Sequence, residues 1–164
     1  MIVNGDFSQN SPVKEYGVYM VLTEGLVDDI RSSGGWHLIV DETAEAKAEI
    51  SEKQAAVTIG EGGRIWYSIQ FCFLPFEIEK NSSYRISFRA KADSPRDIIL
   101  EVCHVGDDWY SFTGRKYVRL TEKWKTYEYS FTAGADEPNA RFEFNLGDGD
   151  AGAYFDNVRL WKEQ

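Results

Sequence analysis

Residues 64–73 read Arg64-Ile65-Trp66-Tyr67-Ser68-Ile69-Gln70-Phe71-Cys72-Phe73. Taken as one strand, the stretch sends alternate side chains to opposite faces of a sheet. Tyr67, Ile69, Phe71 and Phe73 then belong to a hydrophobic interior. Trp66, Ser68, Gln70 and Cys72 share the other face, where charged residues are the usual occupants. An indole beside a carboxamide on an open sheet face can stack on a sugar ring and hydrogen-bond its hydroxyls. The same indole can equally cover a sheet edge or pack under a loop.

Working outward, the same two-residue period recurs in short segments. Trp36 to Val40 reads as a strand, as do Ala46/Ala48/Ile50 and Ala55/Val57/Ile59, the last running into a turn at Gly60-Glu61-Gly62-Gly63. A turn is expected around Pro75 and over Lys80-Asn81-Ser82-Ser83, followed by Tyr84/Ile86/Phe88/Ala90. Ile98 to Val105 is apolar on both faces apart from Glu101 and His104, as suits a central strand. Short strands follow at 109–112 and 117–120, then Tyr127/Tyr129/Phe131, Phe142/Phe144/Leu146 and 154–160. Residues 1–8 read as a strand entering a turn at Asn4-Gly5-Asp6, and 9–35 as a long loop with one helical turn in 23–31. About ten short strands at regular spacing predict an all-β chain, a β-sandwich jelly roll of two antiparallel sheets. No linker or low-complexity tract divides the chain, so 1–164 reads as a single domain.

The net charge of −9 argues against nucleic acid, which binds through Lys and Arg, and against anionic membranes. Neutral ligands and cations remain. No run approaches the roughly 18 apolar residues of a membrane span, and the N-terminus lacks a basic-plus-apolar leader. If the chain is secreted, its leader has been removed or lies elsewhere in a longer polypeptide. Cys72 and Cys103 form neither metal spacing nor a disulfide framework and are expected as free thiols. His37 and His104 are too isolated for a transition-metal site.

Several constellations could carry chemistry. If the strand of Gln70 shares a sheet with that of Arg141, Glu143 and Asn145, they form a platform of an aromatic, two carboxamides and a charged pair. Trp109, after the turn Gly106-Asp107-Asp108, would add an aromatic at its rim. The alternative for Arg141 and Glu143 is a surface ion pair of little energetic weight. Asp6 and Asp156, in the first turn and last strand, would suit calcium if they meet; otherwise Asp6 closes an Asx turn. Glu101 is the one acid in the most apolar strand, and an Arg such as Arg85 or Arg89 is its expected partner. Neither a phosphate-binding loop nor a nucleophile elbow occurs. A glycosidase or lyase using Glu101 and Glu143 has only the abundance of acids behind it.

Taken together, several segments resemble family 4 carbohydrate-binding modules, with features shared by families 16 and 22. They are Asn4-Gly5-Asp6-Phe7, Gly35-Trp36, Trp66 with Gln70, Tyr84-Arg85-Ile86-Ser87-Phe88-Arg89-Ala90-Lys91-Ala92, 124–132, Phe144-Asn145-Leu146-Gly147 and Tyr154-Phe155-Asp156-Asn157-Val158. The resemblance implies a non-catalytic jelly roll with no catalytic cofactor, monomeric, extracellular and fused to a secreted glycoside hydrolase. It implies a groove on the concave sheet that takes one β-glucan chain, β-1,3 or mixed-linkage in preference to xylan or cello-oligosaccharide. By position, Trp66 matches the stacking aromatic, Gln70 the amide near it, Trp109 a second aromatic, Asn145 a polar contact and Arg115 a loop arginine. A structural calcium maps onto the carbonyls of Asp6 and Lys53, the side chain of Ser8, and Asp156. Ser8 stands where an acid is more usual, and one extra residue separates Trp66 from Gln70. Trp36 matches the family's core tryptophan.

Overall fold

The computed structural model describes residues 2–17, 34–104 and 110–164. Within them lie eleven strands: β1 Lys14–Gly17, β2 Gly35–Val40, β3 Ala44–Ser51, β4 Gln54–Gly62, β5 Ile69–Ile78 and β6 Ser83–Ala92. The rest are β7 Arg96–Cys103, β8 Lys116–Leu120, β9 Lys125–Thr132, β10 Glu137–Asn145 and β11 Ala153–Lys162. They form a six-stranded sheet in the order β1-β2-β5-β10-β7-β8 and a five-stranded sheet in the order β3-β4-β11-β6-β9. The pairs are antiparallel except β1 with β2, which is parallel. This is the expected jelly-roll sandwich.

The two sheets meet through aromatics placed by the period-two pattern. Trp36 stacks on Phe71 at 4.6 Å between ring centroids, Phe71 on Phe155 at 5.9 Å, and Phe155 on Phe144 at 4.1 Å. Phe71, Phe144 and Phe155 are wholly buried, and Trp36 is core, as its Gly-Trp context implies.

Local expectations fail where a special backbone outweighs alternation. Residues 2–8 hold the turn but no strand, because Gly5 lies flat against the last strand, its carbonyl accepting the Val158 N–H at 2.7 Å. A Cβ on Gly5 would sit 1.9 Å from the Val158 carbonyl oxygen. The expected loop 9–35 contains β1, which extends the larger sheet beyond β2. The helical turn expected in 23–31 lies outside the described residues. Pro75 lies inside β5 and marks no turn. The pairing with β10 is irregular there, Phe73 facing Phe142 and Phe76 facing Ala140, so the missing proline N–H leaves no ladder gap. Of the strand expected at 109–112, the described part makes one isolated bridge, Ser111 to Cys103.

Candidate functional site

The larger sheet has one face on the core and one face turned away from it. On the outer face, register sets side chains in rows. His37 of β2, Cys72 of β5, Glu143 of β10 and Glu101 of β7 are cross-strand partners in one row. Continued past Leu100–Lys116, the β7–β8 register brings Arg115 opposite Glu101. The next row runs Tyr16, Ile39, Gln70, Asn145, Ile99 and Tyr117. Gln70 and Asn145 are therefore direct partners, and the two strands expected to share a platform do so.

Trp66 arrives differently from the sequence expectation. The strand begins at Ile69, and residues 66–67 form a turn in which the Ser68 N–H reaches the Ile65 carbonyl at 2.9 Å. Trp66 and Ser68 are thus not on the strand face with Gln70. Ser68 is buried and gives its hydroxyl to Asp41 Oδ2 at 2.6 Å. Tyr67 is half-buried outside the core and meets Trp66 edge to face at 5.0 Å. The half-buried Trp66 ring carries the Arg115 guanidinium at 4.3 Å from its centroid, a cation–π contact. Arg115, matched by position only to a loop arginine, thus lies against Trp66.

Arg115 reaches this position through two local devices. Thr113 is buried and accepts the Val102 N–H on its hydroxyl at 2.9 Å. Gly114 follows at φ +61°, a left-handed conformation glycine takes at little cost.

The alternative reading of Arg141 and Glu143 as a solvated surface pair does not hold. Arg141, Glu143 and Asn145 are 2%, 3% and 2% exposed, so the outer face carries a dry polar cluster. Arg141 Nη2 is ion-paired with Glu143 Oε2, and Asn145 Nδ2 donates to Glu143 Oε1 at 2.9 Å. Burial works against the Arg141 charge, yet the guanidinium is held above the ordinary arginine value, with Glu143 the largest of the groups that keep it protonated. Asn145 Oδ1 is buried with no hydrogen-bond partner.

Glu101 does not meet Arg85 or Arg89, which lie in the other sheet and pair with Glu163 and Asp156. It faces Glu143 across the strand pair instead. Burial first, and then that neighbouring carboxylate, push the Glu101 carboxyl above its ordinary value, against the Ser111 hydroxyl, Arg115 and Arg141. Burial pushes the Cys72 thiol up to about 12 and raises Cys103 as well; both thiols are free. His37 is buried with Nδ1 2.9 Å from the Gly35 carbonyl, and burial pulls its ring below the usual histidine range.

Trp109 lies outside the described residues. Tyr117 was missed by the sequence reading: it is 71% exposed on edge strand β8, in the row of Gln70 and Asn145. Its signal was the buried Val118 and Leu120 on either side of Arg119, which leave Tyr117 outside.

A family model for the carbohydrate binding domain CBM_4_9 matches residues 1–152. The chain belongs to this family. It is a non-catalytic carbohydrate-binding domain, and Glu101 and Glu143 are buried members of its sheet. No curated protein sequence matches the chain. A solved structure described as "CBM4 structure and function" is 23% identical with a TM-score of 0.81, covering 99% of this chain and 100% of that one. The N-terminal cellulose-binding domain of Cellulomonas fimi β-1,4-glucanase C is 20% identical, TM-score 0.65, covering 79% and 90%. The CBM22-1 xylan-binding domain of Paenibacillus barcinonensis Xyn10C is 14% identical, TM-score 0.52, covering 78% and 85%. These three share the fold of the carbohydrate-binding domain.

The residues mapped to calcium lie where the first turn and the β3–β4 hairpin approach β11. Their donors are oxygens, as a hard cation takes. Asp156 Oδ2 is already held by Arg89 Nη1 and by Asn157 Nδ2, both at 3.0 Å. Asp6 Oδ1 accepts the Ser8 hydroxyl at 3.0 Å and the Ser8 N–H at 3.3 Å, an Asx turn. Among the described residues no group of three or more His, Cys, Asp or Glu is gathered. The set fits calcium in donor type but not in charge, because the Arg89 guanidinium already neutralises Asp156.

Proposed function

We propose that this domain binds a single neutral β-glucan chain, β-1,3 or mixed-linkage, across the end of the larger sheet beneath the Trp66 turn. The observation that carries the reading is the convergence of Trp66, the Gln70–Asn145 pair and Arg115 at that end. An indole takes the apolar face of a pyranose, and carboxamides both donate to and accept from its hydroxyls. The half-buried Gln70 carboxamide can meet a saccharide hydroxyl, while the buried Asn145 forms the floor beside it. Arg141 and Glu143 support this floor from the adjoining rows, and Trp109 would supply the second stacking ring. The charge of −9 favours a neutral polymer over an anionic one. Cello-oligosaccharide or xylan is the second reading, favoured by the cellulose- and xylan-binding relatives of the same fold. In both readings the domain is extracellular and carries an attached glycoside hydrolase to its polysaccharide.

The test is Trp66→Ala in affinity gels containing β-1,3-glucan, mixed-linkage glucan, xylan or hydroxyethylcellulose. Loss of one stack, about 1–1.5 kcal/mol, weakens binding roughly tenfold. Retention equal to wild type on every gel would sink the assignment. The ranking of gels by the wild type separates β-glucan from the second reading.

We propose further that calcium at Asp6, Ser8, Lys53 and Asp156 binds weakly, because it competes with Arg89 for Asp156. Millimolar calcium should raise the melting temperature relative to chelator, and more so in Arg89→Met. Identical melts in calcium and chelator for both proteins, Arg89→Met included, would mean that these four residues hold no calcium.

A further inference from the structure

The turn that carries Trp66 has no strand partner of its own. It rests on residues 146–151 of the connection between β10 and β11. The Gly147 N–H donates to the Trp66 carbonyl at 3.0 Å, and the Asp148 N–H to the Gly62 carbonyl at 3.0 Å. The Gly62 N–H returns a bond to Asp150 Oδ1 at 2.9 Å. The contact is close enough to require glycine: a Cβ on Gly147 would lie 2.1 Å from the Ile65 carbonyl oxygen. The 146–151 connection is also irregular, with Asp148 at φ +59°. Something must hold it.

That something is one buried side chain at the start of β7. Arg96 is 7% exposed, and its Nη2 donates to the carbonyl of Leu146 at 2.5 Å and reaches that of Gly147 at 3.5 Å. Its Nη1 donates to Ala151 at 2.5 Å and Gly149 at 3.1 Å. Carbonyls spread over six residues of chain thus converge on one planar fork. A guanidinium suits this because it offers five N–H donors in fixed directions and remains charged. The arrangement is not needed to pair strands, since Leu146 already bonds Ile69 by its own N–H at 2.8 Å. What the fork adds is the shape of the connection on which the Trp66 turn sits.

We propose that Arg96 is the positioning residue for Trp66, acting through the 146–151 connection and touching no sugar itself. The inference rests on the reading of Trp66 as the stacking ring. Arg96 fixes four carbonyls, these fix the Gly147 and Asp148 N–H groups, and those fix the height and tilt of the turn. A stacking ring displaced by about an ångström loses much of its contact with a rigid pyranose. The Arg96 signal in the sequence was faint: a single arginine opening a mostly apolar strand that also carries Asp97 and Glu101.

The experiment uses the domain labelled with 5-fluorotryptophan, the Trp66 fluorine line being assigned by Trp66→Phe. In Arg96→Ala the Trp66 line should shift and broaden while the Trp36 line, deep in the core, stays. Affinity for a soluble β-1,3-glucan hexasaccharide should fall about tenfold, the loss of one stack. Millimolar methylguanidinium should restore both. An unmoved Trp66 line in the folded variant, or a loss of affinity that methylguanidinium cannot reverse, overturns the proposal. If Arg96→Ala does not fold, Arg96→Lys serves, since one ammonium cannot hold all four carbonyls; an unmoved Trp66 line there overturns the proposal equally. Should the line shift and recover while the wild type binds no glucan, cellodextrin or xylan, the positioning stands and the stacking role of Trp66 falls.

Discussion

Replacing Arg141 by methionine asks whether the outer face of the larger sheet is dry. Arg141 and Glu143 are each 3% exposed in their side chains, and Glu101 stands opposite Glu143 at 7% exposure. Removing the guanidinium leaves two carboxylates facing one another without their buried cation. Breaking a buried pair this way costs about 3–5 kcal/mol, because the orphaned charge stays desolvated. For a domain of this size each kcal/mol is worth about 2–4 °C, so the melting temperature should fall by roughly 6–20 °C at pH 7. The cost should shrink with acid. The Glu101 carboxyl is already raised in the folded state, and removing Arg141 takes away one of the charges that lower it, so the penalty is full above that raised value and fades as pH falls from it toward the unfolded value. Urea melts at pH 7 and pH 5 measure both effects. Substituting Arg141→Met, Glu143→Leu and Glu101→Leu together should recover most of the loss, since no charge is then buried. A cost for Arg141→Met below about 1 kcal/mol at pH 7 is the value of a solvated surface pair. That result would refute the dry cluster and make the face an open, wet trough.

Two further outcomes follow from the same burial. Glu101→Gln should stabilise the domain at pH 7, because the Glu101 carboxyl is raised in the folded state and its charge is disfavoured there. The advantage should close as pH falls from the raised value toward the ordinary glutamate value of about 4.3, where the wild type is itself protonated; melts across this range that run parallel refute it. Cys72 and Cys103 should resist thiol reagents at pH 8 until the domain is unfolded, since both are buried with thiols far from ionised. Rapid native-state labelling of either, located by mass spectrometry, would contradict that environment.

Much of the fold was legible because it depends on local alternation. Tyr84, Ile86, Phe88 and Ala90 point inward in β6 as their spacing requires, and Phe142, Phe144 and Leu146 likewise line the core. The same spacing failed at Trp66, where Gly63 at φ +76° and the Ser68–Asp41 bond make a turn ahead of the strand. Alternation sees side chains, and a turn is made by backbone bonds to residues distant in the chain. The Arg96 fork was hidden for that reason, since its partners are carbonyls that every residue carries.

Sequence alone settled which residues share a face: Gln70 with Cys72, Arg141 with Glu143 and Asn145, and Trp36 with the core. Tertiary structure alone decided what each face meets. It set Glu143 between Glu101 and Cys72, buried the Arg141–Glu143 pair, and brought Arg115 onto Trp66 from a loop 49 positions later in the chain. The physical reason is range. The period of a strand is a property of neighbouring peptide units, whereas burial and charge depend on every group that the fold brings within a few ångströms.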